Sequence, residues 1–196
     1  MLERKSPLSQ KRILGKFGLK TEEAGLTIKE IKEFSFLEIS CWNGEMGTLK
    51  SKFLELLSLE AFPEAGRPVA MKDGLMLRSA PGQFTYFGAK SPEDILRAMI
   101  GPEEGSAVSL SHSRCALRLS GPEVREVLKR GIHVDISENK FPVGANAFTE
   151  IHGLSVLLIR RSKGDYDLVF MRSSALNIWT WLIETAEQFG YEVISE

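Results

Sequence analysis

The stretch Leu110–Gly131, LSHSRCALRLSGPEVREVLKRG, decides the reading of the fold. It reads as a strand, a tight junction and a short helix. Arg114, Ala116 and Arg118 alternate with Cys115, Leu117 and Leu119. That period of two sets small or charged side chains on one face of a strand and apolar ones on the other. Ser120-Gly121-Pro122-Glu123 then opens a helix. Proline suits the first helical position, where no N–H is needed. Ser120 and Glu123 have the spacing of a capping box. Val124, Val127 and Leu128 supply one apolar stripe, and Gly131 is the expected stop.

Upstream of this unit the punctuation is regular. Phe36–Trp42 alternates as a strand, and Thr48 is the expected cap of a helix running to Ala61, with Leu49, Phe53, Leu56 and Leu57 on its inner side. Pro63–Gly74 reads as a loop. Leu75–Ser79 and Gln83–Gly88 are strands joined by Ala80-Pro81-Gly82, a hairpin signal. Ser91-Pro92-Glu93-Asp94 starts a helix whose buried stripe is Ile95, Leu96 and Met99, and Ala107–Leu110 is the next strand. Downstream, an irregular stretch passes Pro142-Val143-Gly144. Strands follow at Ala147–Ile151, Leu154–Ile159 and Tyr166–Met171. Leu154–Ile159 is almost continuously apolar and is expected to be covered on both faces. Ser173 or Ser174 caps a long helix to Phe189, closed by Gly190, and Tyr191–Ile194 is a final strand. The two runs of elements resemble each other. The expected fold class is α+β, two ferredoxin-like βαββαβ-type halves packed together. The expected domains are a basic N-terminal arm over 1–30, a first half over 31–111 and a second over 112–196.

The chain has 196 residues, enough to bury roughly 70% of its unfolded surface. A composition of 43% hydrophobic and 26% charged residues is that of a globular domain, and a net charge of −1 argues against a dedicated nucleic-acid binder. No apolar run reaches the length of a membrane span, and no secretory signal is visible, so a cytoplasmic protein is expected. Cys41 and Cys115 lie inside apolar strand patterns and read as reduced, buried thiols. Their spacing is not that of a metal site. Arg4, Lys5, Lys11, Arg12, Lys16 and Lys20 face few acids, and Ile13, Leu14 and Phe17 are too few for a core of their own. Three readings of this arm stay open: a disordered tail, a segment that orders against a partner, or an organellar presequence. Glu3, Glu22 and Glu23 disfavour the last.

Catalytic signatures are few. Neither G-x-G-x-x-G nor G-x-x-x-x-G-K-[ST] occurs. His112, between Ser111 and Ser113, could belong to a polar site at a strand end. His133 and Asp135 would share one side of an extended segment, a pairing able to tune a base. No nucleophile with a local signature accompanies either, and His152 reads as a surface residue beside the turn at Gly153. Glu123 with Lys129 or Arg130, and Asp165 with Arg160 or Arg161, read as solvated faces. In the last helix Trp179, Leu182, Ile183 and Ala186 form a core stripe that Ile178, Trp181 and Phe189 widen. Either the core wraps two sides of this helix, or one side meets a partner with Trp181 as its anchor.

Taken together, these residues resemble a known family. The features are Arg4-x-Ser6-Pro7-Leu8, Leu110-Ser111-His112-Ser113-Arg114, LRLSGPEVREVL, Asp135, Phe141-Pro142-x-Gly144, Ala147-x-Thr149, Arg160, Asp167-Leu168, and Arg172-Ser173 leading into Trp179-x-Trp181-Leu182. Their order is similar to that in the gamma subunit of heterotetrameric sarcosine oxidase, most densely over 107–190. More distantly, the strand–Gly-Pro–helix unit is similar to the folate-binding domain of the glycine cleavage T-protein. The resemblance implies a small accessory subunit without catalytic, cofactor or metal residues of its own. It implies alpha, beta and delta partner subunits holding FAD, FMN, NAD, tetrahydrofolate and zinc, with no nucleic acid and no membrane. The implied complex demethylates sarcosine to glycine, yielding formaldehyde or methylene-tetrahydrofolate and hydrogen peroxide. An equivalent subunit of an N-methylglutamate dehydrogenase-like complex and a stand-alone folate-binding protein are the alternatives. The residues expected at partner interfaces are Leu8, Ile13, Leu14, Phe17, His112, Arg114 and Trp181.

Overall fold

The computed structural model describes residues 5–19, 24–57 and 59–195. Arg4, Lys20 and the acids Glu3, Glu22 and Glu23, all part of the expected arm, lie outside the described residues. The chain divides into two compact units. One spans residues 33–111, and the other joins residues up to 32 with those from 112 onward.

The 33–111 unit runs β3 (Ser35–Cys41), α1 (Met46–Glu55), β4 (Val69–Met71), β5 (Gly74–Ala80), β6 (Gln83–Gly88), α2 (Glu93–Ala98) and β7 (Gly105–Ser109). Its antiparallel sheet has the order β4-β5-β6-β3-β7. Without β4 this is the ferredoxin-like βαββαβ arrangement. Strand β4 falls in the stretch read as a loop, because a three-residue hairpin partner has no periodicity to betray it. Leu49 and Phe53 of α1 and Leu96 of α2 join Leu37, Ile39, Met76, Phe84 and Tyr86 in the core.

Three local expectations here are corrected. Helix α1 stops at Glu55 rather than Ala61, and Thr48 lies inside it, its hydroxyl donating to Glu45 at 2.9 Å. Ser91 does not cap α2; its hydroxyl turns to Asp73 at 3.1 Å. Ile95 is 63% exposed, since one turn and a half of helix has room for one fully buried position, Leu96.

The second unit holds β1 (Gly15–Phe17), β2 (Leu26–Ile31), β8 (Arg114–Ser120), α3 (Val124–Leu128), β9 (Asn146–Ile151), β10 (Leu154–Arg160), β11 (Asp165–Met171), α4 (Ala175–Ala186) and β12 (Tyr191–Ile194). The sheet order is β1-β12-β2-β8-β11-β10-β9. In a plain ferredoxin-like half the last strand would lie beside the first. Here β2 is inserted between them, parallel to β12 and antiparallel to β8. The later part of the expected arm is therefore an interior strand. Its alternation, Leu26, Ile28 and Glu30 inward, follows from the period of two.

The Ser-Gly-Pro junction after β8 forms as expected, but not as a capping box. Glu123 and not Ser120 precedes α3, without a side-chain cap. The Ser120 hydroxyl bonds Asp165 instead, and the Glu123 N–H donates 3.0 Å to the Gly25 carbonyl. Gly121 has φ +127°, and a Cβ there would stand 2.5 Å from that same carbonyl, so glycine is required where β2 and β8 begin to pair. Ala116, assigned by alternation to the polar face, is buried. The core gathers Leu117, Leu119, Val127, Leu158, Leu168 and Leu182 under α3 and α4.

Candidate functional site

The N-terminal segment is fastened from within. Leu8 is fully buried among Leu26, Ile28 and Cys115. The Glu30 carboxylate, 4% exposed, accepts the Ser6 hydroxyl at 2.6 Å and the Arg12 guanidinium at 2.7 Å. Ser6 also accepts the Leu8 N–H at 3.0 Å, and Arg172 donates to the Lys5 carbonyl. The Ser6-Pro7-Leu8 motif is thus an internal latch, and Leu8 is corrected from interface to core. Glu30 was missed in the sequence, although an acid at the third inward position of Leu26-Thr27-Ile28-Lys29-Glu30 is a signal that it needs a buried partner.

Beyond the latch the segment is exposed throughout 13–19. Ile13, Leu14, Phe17 and Leu19 are exposed, and β1 forms one edge of the sheet. Phe17 stacks on Tyr191 with ring centroids 5.4 Å apart. A cavity of about 200 Å³ opens beside this pair, lined also by Lys16, Leu19 and Ala24.

The other expected interface residues stand elsewhere. His112 is exposed in a single 3-10 turn, Ser111–Ser113, at the start of β8, and Arg114 donates 3.0 Å to the Ser113 hydroxyl. Strand β8 is the fourth of seven, whereas β1 is an edge. Trp181 is half-buried on α4 against the core, its ring edge-on to His152 at 6.2 Å. His152 belongs to the turn next to β9, the opposite edge of the sheet, with φ +50°. Ile178, Trp179, Leu182 and Ala186 are buried, so the core takes most of the wide face of α4.

His133 and Asp135 do not form the expected pair. His133 Nδ1 lies 3.1 Å from Glu150, while Asp135 accepts the Ser137 N–H at 2.9 Å, a bond that holds its carboxyl below the usual range. Nor are the arginines near Asp165 on a solvated face. Asp167, fully buried, accepts two bonds from Arg118 at 2.8 and 3.0 Å and one from Arg161 at 2.6 Å. Asp165 takes the Ser162 hydroxyl and then Ser120, both lowering its pKa. Arg160, 3% exposed, donates to the carbonyls of Phe141, Ser162 and Lys163 at 2.6, 3.2 and 3.4 Å, tying down the Phe141–Gly144 stretch.

Neither Cys41 nor Cys115 is in a disulfide; Cys115 is buried, Cys41 only half-buried, and burial pushes the Cys41 pKa up. Among the described residues no three His, Cys, Asp or Glu side chains gather as a metal site, and no helix is long and apolar enough to cross a membrane.

Comparison with known proteins decides the family. A family model described as "Sarcosine oxidase, gamma subunit family" matches residues 71–188, from the last residue of β4 to just past α4. The chain belongs to the sarcosine oxidase gamma subunit family. Among sarcosine oxidase gamma subunits, that of Corynebacterium sp. (strain P-1) is 29% identical over 100 residues, covering 51% of this chain and 49% of the relative. That of an Arthrobacter species is 28% identical over 103 residues, with 51% and 49% covered. The aligned region thus spans about half the length of each curated relative. A chain of heterotetrameric sarcosine oxidase from Corynebacterium sp. U-96, solved with pyrrole 2-carboxylate, has the same fold. Its TM-score is 0.79 at 21% identity, covering 95% of this chain and 96% of that one. The glycine cleavage aminomethyltransferase T from Bartonella henselae shares the fold at a TM-score of 0.60 and 14% identity, over 87% of this chain and 48% of that one. Two-sheet α+β architecture and likeness to the T-protein were both expected from the sequence.

Proposed function

We propose that this chain is the gamma subunit of a heterotetrameric, flavin-dependent sarcosine oxidase and that its role there is structural. The family match over residues 71–188 carries the reading. In this reading the alpha, beta and delta chains hold FAD, FMN, NAD, tetrahydrofolate and zinc, and sarcosine is oxidised on them in the cytoplasm. The products are glycine, hydrogen peroxide, and formaldehyde or methylene-tetrahydrofolate. This chain's contribution is surface. The exposed Ile13, Leu14 and Phe17, the exposed His112 beside Arg114, and the open side of Trp181 are the proposed contacts. Exposed aromatic and aliphatic side chains are the usual anchors of such contacts.

The test is reconstitution. Co-expressing the four chains should give a yellow complex that makes peroxide from sarcosine, and omitting this chain should lower its yield or activity. Recovery of a fully active enzyme without it would refute the role. The likeness to aminomethyltransferase T favours a second reading, a stand-alone folate-binding protein. Titration of the isolated chain with tetrahydrofolate separates the two, because the subunit reading expects no binding.

A further inference from the structure

The outer edge of β1 carries an inference that rests on the subunit reading. Gly15–Phe17 has β12 as its one strand neighbour among the described residues. A strand turns alternate N–H and C=O groups to each side. One set in β1 meets β12, and the other points outward. Natural sheets commonly blunt such edges with charge, proline or a covering loop. This edge is instead flanked by Ile13, Leu14, Phe17 and Leu19, at 67%, 52%, 37% and 64% exposure. The cavity between Lys16, Phe17, Leu19 and Tyr191, about 200 Å³, has room for one apolar side chain.

Charge selects the occupant. Residues 5–19 contain Lys5, Lys11, Arg12 and Lys16 and no acid. Arg12 is committed to Glu30, and Lys16 stands opposite Glu192 across the ladder. Lys5 and Lys11 are exposed, so the strip keeps a cationic excess. A second copy of this chain would bring the same cations to the same edge, and like charges across a strand pair repel. We propose that the β1 edge takes an extended, carboxylate-bearing segment of a partner subunit as an eighth strand, with one apolar side chain of that segment seated in the Phe17–Tyr191 cavity. Main-chain hydrogen bonds supply the affinity, and alternate side chains supply the choice of partner.

The experiment uses the full chain co-expressed with the three other oxidase chains. A photo-reactive Leu14→benzoylphenylalanine substitution is irradiated in the assembled complex, and the product is mapped by mass spectrometry. The expected result is a cross-link to one partner segment carrying Asp or Glu at alternate positions. The paired substitution Lys5→Glu with Lys11→Glu, at two exposed lysines, should weaken partner retention at least ten-fold in low salt while leaving the thermal transition of the isolated chain in place. Cross-links to a second copy of this chain, or to none while the complex stands assembled, would overturn the edge proposal alone. Undiminished retention by the charge-reversed chain would do the same. Failure of the unsubstituted chain to assemble with any partner would overturn the subunit reading, and the edge proposal with it.

Discussion

Glu30 and Arg12 meet at 2.7 Å, with Glu30 buried in an interior strand and Arg12 in the segment that reaches it from the chain's start. Ser6 shares the same carboxylate. Removing one partner of a buried pair leaves the other charge uncompensated, which costs more than the pair contributes. Arg12→Ala is therefore expected to lower stability by about 2 kcal/mol, below the fully buried range because Arg12 keeps some solvent contact. Denaturant unfolding measures it, and proteolysis near residue 14 should quicken in the same variant.

Asp167 lies between Arg118 and Arg161 with no exposure of its own. The hydrogen bonds it accepts, and then its charge, hold Arg118 more firmly protonated than a free guanidinium. Asp167→Ala strands two arginines in the sheet and should cost about 3 kcal/mol. Arg161→Ala, which leaves the two-pronged Arg118 contact in place, should cost less than half of that by the same chemical denaturation.

Gly131 supports Trp181. A Cβ at residue 131 would stand 2.5 Å from the indole Cζ2 and 3.2 Å from Ile151 Cγ2. The expected stop of α3 thus also makes room for an aromatic ring. Gly131→Ala should destabilise by about 2 kcal/mol through overpacking. Combining it with Trp181→Phe should cost less than the sum of the two, since the smaller ring removes the clash. Additive losses in thermal melts would show that the contact is not the cause.

Tyr86 predicts an alkaline limit. It is buried, and its hydroxyl lies within bonding distance of the carbonyls of Asp73 and Ala89 at 3.0 and 2.9 Å. Burial first, and then the Asp73 charge, push its pKa from 10.0 up to about 12. The folded form thus resists ionisation that the unfolded chain accepts. This contribution to stability is complete below pH 10 and is lost as pH rises through about 12. Tyr86→Phe should cost about 1 kcal/mol at neutral pH and flatten the fall above pH 10. Stability measured from pH 8 to 12 checks both.

The comparison between sequence and structure turns on distance along the chain. The hairpin of β5 with β6, the Ser-Gly-Pro entry to α3, the strands around Gly153 and the long final helix are legible because neighbours within a few residues decide them. Periodicity and turn chemistry act over that range. Their order, with the spaced features from 107 to 190, was enough to point to the family. The exposed Ile13, Leu14 and Phe17 were legible too, as apolar residues in a basic setting without a core of their own.

Tertiary structure alone decided what joins remote positions. The Ser6–Glu30 bond spans 24 residues and the Arg118–Asp167 bond 49. Strand β2 enters between β12 and β8 because Leu26 and Ile28 can be buried only against a sheet built from the other end of the chain. Capping residues were misread for a related reason. Ser91 and Ser120 have acids from distant elements within reach, and those contacts displace the local cap. By itself the sequence determined the kinds of most elements from Ser35 onward, β4 excepted, and the family. Folding decided which charges are buried, that Leu8 is core, and that β1 is an edge strand among the described residues, because each depends on surfaces that exist only once distant strands have paired.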